Sequence, residues 1–184
     1  MKNLFSMRLR VAVGVVAISA ALTGCATAVP ESTTSVEVHG SRAVLYESID
    51  SVVADSAVVV TAKVTSQSQP KDGIAGSPGT ISALAVIEAG TSDLVKPGGE
   101  VFVFQYGSET VSAMAPLLKV GETYLLFLSS TALPDARSND FFVTGNSAGI
   151  YQLTSDGYKR LGTDPDKLPE LITQSEVAAL LAVK

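Results

Sequence analysis

Ala57-Val58-Val59-Val60-Thr61-Ala62-Lys63-Val64 is the stretch that decides the fold class. β-Branched residues crowd it, and they fit a pleated surface better than a helix. Alternation puts Val58, Val60, Ala62 and Val64 on one face and Val59, Thr61 and Lys63 on the other, so the stretch reads as a first strand. Upstream the period is helical. Ser41 is the expected N-cap of a short amphipathic helix carrying Leu45, Tyr46, Ile49, Val52 and Val53 and ending near Asp55. Downstream, Thr65 to Gly79 contains Gln67, Gln69, Pro70, Asp72, Gly73, Gly76, Pro78 and Gly79. That composition predicts a long exposed loop that neither pairs in a sheet nor builds a helix. Loops of this length in compact domains are either functional or disordered.

Further strands follow. Thr80 to Glu88 and Glu100 to Tyr106 are joined through Lys96-Pro97-Gly98-Gly99. In the second of these, Val101 and Val103 face one way and Phe102, Phe104 and Tyr106 the other, so neither face is plainly wet. Pro116 to Glu122 turns at Gly121 into Thr123 to Leu128, again apolar on both faces. After a polar loop from Ser129 to Asp140 come Phe141 to Thr144 and Ile150 to Thr154. The latter is expected to pair across Ser155-Asp156-Gly157 with Tyr158 to Leu161, since Asp-Gly between strand-like runs is a strong hairpin signal. Thr173 with Glu176 makes a capping box, and Val177, Leu180 and Leu181 give the following helix an apolar stripe. Strands apolar on both faces need cover on both sides. The expectation is a mainly β fold with flanking helices, a small OB-like barrel or curled sheet with one helix before and one after the strands.

Two segments carry a family resemblance: Ala54 to Val64, and Pro116-Leu117-Leu118-Lys119-Val120-Gly121-Glu122 running on to Leu128. They resemble segments of small, mostly uncharacterised bacterial exported domains, similar in arrangement to the netrin and metalloproteinase-inhibitor modules. The resemblance implies an OB/netrin-like barrel. The eukaryotic inhibitors act through disulfides and a free amino-terminal cysteine wedge; this chain has a single cysteine and thus no disulfide partner for it, so inhibition by that route is not implied.

That cysteine lies in Leu22-Thr23-Gly24-Cys25, which resembles the lipobox of bacterial lipoproteins. The resemblance implies a diacylglyceryl group on the Cys25 thiol and cleavage just before it. Independently, Lys2, Arg8 and Arg10 form a positive n-region, and Val11 to Leu22 is an apolar run of about a dozen residues, the layout of an export signal. A bilayer core needs ~20 apolar residues, so this run is too short to span. An uncleaved signal anchor, and ordinary cleavage with Cys25 incidental, are the competing readings. The division expected is therefore a signal peptide over 1–24, an acylated Cys25 with a flexible tether over 25–40, and one β-rich domain over 41–184.

Loss of the leader removes three cations and no acid, taking 13 basic and 18 acidic residues to 10 and 18, a formal charge of −8. An acidic domain lacks the positive footprint that phosphate backbones require, so nucleic acid is excluded as an expected partner. The partners expected are the membrane, through lipid on Cys25, and a protein or small molecule near the loop from Thr65 to Gly79. The domain is placed outside the cytoplasm, at the cell envelope.

Catalytic and cofactor chemistry has little to stand on. The sole histidine, His39, falls in the tether without a companion ligand or nucleophile. Asp164-Pro165-Asp166, and Asp135 with Asp140, offer oxygens but not the ligand count or glycine spacing of a calcium loop. Phe102, Phe104, Tyr106 and Tyr124 have two readings, a stacking face like those on which OB modules hold bases or sugars, or core filling, and the absence of tryptophan favours the core. The expectation is a non-enzymatic interaction or ligand-binding module with no catalytic residue, cofactor or metal. A carboxylate-dependent envelope hydrolase using Glu88, Glu100 or Glu122 is the alternative, and it requires two of them to converge.

Overall fold

The computed structural model describes residues 44–133 and 136–183. The leader, Cys25, the tether with His39, the expected cap Ser41, and Asp135 lie outside them. The fold is mainly β, 40% strand and 12% helix, with one helix before the strands and one after.

Helix α1 (Ile49–Asp55) precedes β1 (Val58–Ser68), β2 (Gly79–Ala89), β3 (Glu100–Tyr106), β4 (Thr123–Ser130) and β5 (Asp140–Val143). These five strands close a barrel in the order β1-β2-β3-β5-β4, with β4 pairing back onto β1. Every neighbouring pair is antiparallel except β3 with β5. This is the small OB-like barrel the alternating pattern predicts. Outside it, β6 (Ile150–Thr154), β7 (Gly157–Arg160) and β8 (Leu171–Ile172) extend the sheet, and α2 (Gln174–Val183) follows.

The extension starts where β4 changes partner. Tyr124 to Leu126 pair with β6, whereas Leu128 to Ser130 pair with β5. Phe127, between them, donates its N–H to the Gly149 carbonyl (3.1 Å) and accepts from the Thr144 N–H (2.8 Å), which ties the turn joining β5 and β6 to the strand. A Cβ on Gly149 would sit 2.9 Å from the Phe127 carbonyl oxygen, so the backbones approach too closely there for any other residue.

Two cores result. The barrel interior holds Val58, Val60, Ala62 and Val64 of β1 with Leu84, Val101, Val103, Tyr124, Leu126, Leu128 and Phe141. Leu118 plugs one end of the barrel; the Gln105 side chain holds the plug by accepting from the Leu118 N–H (3.0 Å) and donating to the Pro116 carbonyl (2.9 Å). The second core lies outside the barrel wall. Val59, Leu125 and Phe127 point outward there and meet Val52 and Val53 of α1, Val177 of α2, and Tyr151, Tyr158 and Ile172 of the sheet extension. This layer is why β1 and β4 are apolar on both faces.

Several boundaries differ from expectation. The first helix is capped by Ser48, whose side chain accepts from the Ser51 N–H (3.3 Å), and not by Ser41. Leu45 is exposed, and Tyr46 is buried by its own anchoring, its N–H donating to Asp166 Oδ1 (2.7 Å) and its carbonyl accepting from the Lys167 N–H (2.9 Å). The loop expected over Thr65 to Gly79 is shorter and better ordered than its composition suggests. β1 runs on to Ser68, with a bulge between Val64 and Ser66, and β2 starts at Gly79. Only residues 69–78 connect them, and Ile74 and Ser77 exchange backbone hydrogen bonds of 2.7 and 3.0 Å within that connection. Ile74 is 3% exposed and packs on the Gly79 backbone. The hairpin between β6 and β7 forms, with Ser155 and Asp156 in the turn and Thr154 opposite Gly157. The capping box at α2 forms as read, the Thr173 N–H donating to Glu176 Oε2 at 2.7 Å and the Glu176 N–H to Thr173 Oγ1 at 3.4 Å.

Candidate functional site

Among the described residues, no layer comparable to the second core lies over the outer surface of β3 and β5. Val101 and Val103 fill the barrel, so the pleat forces Phe102, Phe104 and Tyr106 outward, and each is half-buried. Phe142 does the same on β5 because Phe141 and Val143 are interior. The pairing register sets Phe104 beside Phe142. Their rings meet edge to face at 6.1 Å between centroids, and Tyr106 stacks on Phe142 at 5.7 Å with an 18° interplanar angle. Such geometries are the favoured ones for paired rings.

Phe102 is capped by a cation. The Arg137 guanidinium carbon lies 4.0 Å from the ring centroid. Asp140, 6% exposed, holds that guanidinium, accepting from Arg137 Nε at 3.1 Å and Nη2 at 2.8 Å and from the Arg137 backbone N–H at 2.9 Å. The pair is charge-assisted and bidentate, so the guanidinium is fixed over the ring.

Two connections border this face. Gly79, at the end of the 69–78 connection, is the cross-strand partner of Tyr106. Between that connection and residues 108–111 lies an open pocket of about 290 Å³ lined in part by Gln69, Lys71, Asp72, Ser108 and Thr110. On the other side lies the connection between β4 and β5, which carries Arg137 and Asn139; the Asn139 side chain donates to the Glu100 carbonyl at 3.1 Å.

The expected aromatic set is thus divided. Phe102, Phe104 and Tyr106 share the outer face and are not core, whereas Tyr124 is fully buried inside the barrel with its hydroxyl accepting from the Lys119 N–H at 3.1 Å. Burial raises the Tyr124 pKa above its ordinary value, partly offset by that hydrogen bond. Phe142 and Arg137 take the place left by Tyr124. Alternation within Phe141-Phe142-Val143 gave a signal for Phe142; a lone arginine in a polar loop gave none.

Glu88, Glu100 and Glu122, the residues of the hydrolase alternative, stand apart. Glu88 accepts from Thr61 Oγ1 (3.3 Å), Glu122 accepts from the Gln152 amide (3.1 Å), and Glu100 begins β3 opposite Ala85. No hydrogen bond joins any two of the three. Asp166 is engaged by the Tyr46 N–H and Asp140 by Arg137, so both have structural partners in place of the calcium considered for them. Among the described residues no group of three or more His, Cys, Asp or Glu is placed to hold a metal, and no helix is long and apolar enough to cross a membrane.

No family model matches the chain, and no curated protein matches it.

Proposed function

We propose that the protein is a non-enzymatic binding module held at the outer side of the bacterial cell membrane by lipid on Cys25, with the aromatic face of β3 and β5 as its ligand seat. The observation that carries the reading is the set of half-buried rings on the uncovered side of a barrel whose other side is sealed. In OB-type barrels the face of strands 2 and 3, with the loops joining strands 1 to 2 and 4 to 5, is the usual place for a ligand, and β3 and the same two loops border the face proposed here. The lipobox-like Leu22-Thr23-Gly24-Cys25 supports the anchoring. Two acyl chains give stable attachment where one does not, and a tether of about 15 residues reaches at most ~50 Å, keeping the barrel near the bilayer.

The test has two arms in the producing cells. Mass spectrometry of the membrane-extracted protein is expected to show a lipid-modified Cys25 as the first residue, and Cys25→Ser to accumulate unlipidated precursor. A photoreactive residue at Ala83, the cross-strand neighbour of Phe102, is expected to crosslink envelope material, and the Phe104→Ser/Phe142→Ser double variant to lose the crosslink while staying folded. An unmodified amino terminus defeats the anchor; crosslinks unchanged by the double variant defeat the seat.

A further inference from the structure

The end of the barrel closed by Leu118 is occupied by a segment of the chain held there as a bound peptide would be. Residues 113–120 belong to no strand. Four of their backbone polar groups are instead taken by side chains that three different strands send to the barrel mouth. Gln105 of β3 accepts from the Leu118 N–H at 3.0 Å and donates to the Pro116 carbonyl at 2.9 Å. Gln67 of β1 donates to the Leu118 carbonyl at 2.6 Å, and the Tyr124 hydroxyl of β4 accepts from the Lys119 N–H at 3.1 Å. Between these contacts the Leu118 side chain, 1% exposed, enters the barrel core. Main-chain hydrogen bonds for affinity and a pocket for one side chain are the two elements by which proteins hold extended peptides.

Leu118 is the only one of the eight residues that is buried. Ala113, Met114, Ala115 and Leu117 are half-buried, and Pro116, Lys119 and Val120 are exposed. At the end of the segment Gly121 has φ +88° with open space where a Cβ would stand, so its backbone can turn without meeting a neighbour. An open groove of about 1200 Å³ runs alongside, lined in part by Gln67, Gln69, Thr80, Met114 and Lys119. Departure of the segment leaves at the mouth an apolar socket ringed by two amides and a phenol, groups that are costly to leave unpaired. Their donors and acceptors are arranged for a peptide backbone because a peptide backbone already lies on them. We propose that residues 113–120 are a cis-bound occupant of a peptide site, released as a unit, and that the site takes in their place an extended peptide carrying a leucine-sized apolar residue. This site is separate from the aromatic face, since Gln105 points inward between the outward Phe104 and Tyr106.

Native-state hydrogen exchange on the full chain tests the release, with and without millimolar acetyl-Ala-Pro-Leu-Leu-Lys-Val-amide, a copy of residues 115–120. The Leu118 and Lys119 amides are expected to exchange at least ~10-fold faster than those of Phe127 and Thr144, which marks an opening short of global unfolding. The peptide is expected to speed Leu118 and Lys119 further, because it keeps the segment off the mouth; a peptide bound elsewhere leaves those rates unchanged and overturns the site. Calorimetry tests the competition. Leu118→Ala weakens the cis occupant and is expected to tighten peptide binding about ten-fold, while adding Gln105→Leu reverses a similar factor, the scale of one or two hydrogen bonds. Exchange of Leu118 at the rate of Phe127, or peptide binding no tighter to the Leu118→Ala variant than to the wild type, overturns the proposal. The exchange arm uses the wild-type chain, so it decides the matter even where the variants fail to fold.

Discussion

The outer surfaces of β1–β4 and of β3–β5 belong to one barrel and carry similar apolar side chains, yet among the described residues one is sealed and the other is not. On β4, Leu125 and Phe127 are fully buried under both helices and the sheet extension. On β3 and β5, Phe102, Phe104, Tyr106 and Phe142 are left half-covered by each other and by Arg137. The difference originates in β4, whose switch of partner at Phe127 sends β6 to β8 over one side only. Among the described residues an apolar outer face therefore has two fates: chain folds over it on β1 and β4, and none does on β3 and β5, the side proposed as the ligand seat.

Truncation tests that division most sharply on the sealed side. Phe127→Ala removes a ring that is fully buried and packed edge to face with Tyr151 at 6.0 Å. It is expected to cost about 3–5 kcal/mol in denaturant melts. A loss below about 1 kcal/mol would mean that the second core contributes little, and the comparison would fail.

The rim of the open face comes next. Ile74 is buried in the connection between β1 and β2 and rests on Gly79, so Ile74→Ala is expected to cost about 2–4 kcal/mol. Composition alone suggests the opposite, that this connection is removable at almost no cost, because loop closure depends weakly on length. A loss under ~0.5 kcal/mol would restore that view and leave the open face without a rigid border.

On the open face itself, Phe142→Ala is expected to cost less than about 1.5 kcal/mol, well below the value at Phe127, since its ring is already partly in water before the chain unfolds. A cost equal to that of Phe127→Ala would show the rings to be core and remove the basis for a ligand seat.

The strands were legible because both of their faces obey period two, and β3 was read to its final residue. Helix α2 was legible from Thr173 and Glu176 because a capping box is a local device. Which outward face would be covered was not legible, since cover is delivered by β6 to β8 and two helices distant in sequence. For the same reason the sequence does not separate Tyr124 from residues of the opposite face: spacing within a strand fixes its alternation, but the inside of the barrel is set by pairing between strands. Ile74 was hidden by its Gly- and Pro-rich surroundings. Its burial depends on Gly79 having no Cβ where the side chain lies. β8, only Leu171 and Ile172, is too short to carry a period and exists by pairing with β7.

The smallest expected effect lies at the edge of the sealed side, where α2 begins. Glu176 accepts from the Thr173 N–H and hydroxyl, and these hydrogen bonds hold its carboxyl below its ordinary pKa of 4.5. A carboxylate whose pKa is lower in the folded chain adds stability that is present above the unfolded pKa and lost as pH falls through the folded one. Acidification from pH 5 to pH 3, a range of about two units around ordinary carboxylate values, is therefore expected to speed amide exchange in the first turn of α2. Glu176→Gln retains a side-chain acceptor for the capping box but cannot ionise, so its first turn is expected to exchange at a rate that this acidification leaves unchanged once intrinsic exchange is subtracted. Equal acid sensitivity in both proteins would trace the fraying to other carboxylates. Because Val177, the next residue, is buried against the barrel wall, the same experiment also reports whether loosening the cap reaches the second core: exchange at Val59 and Leu125 should stay slow at pH 3 if the seal is held by packing and not by the cap.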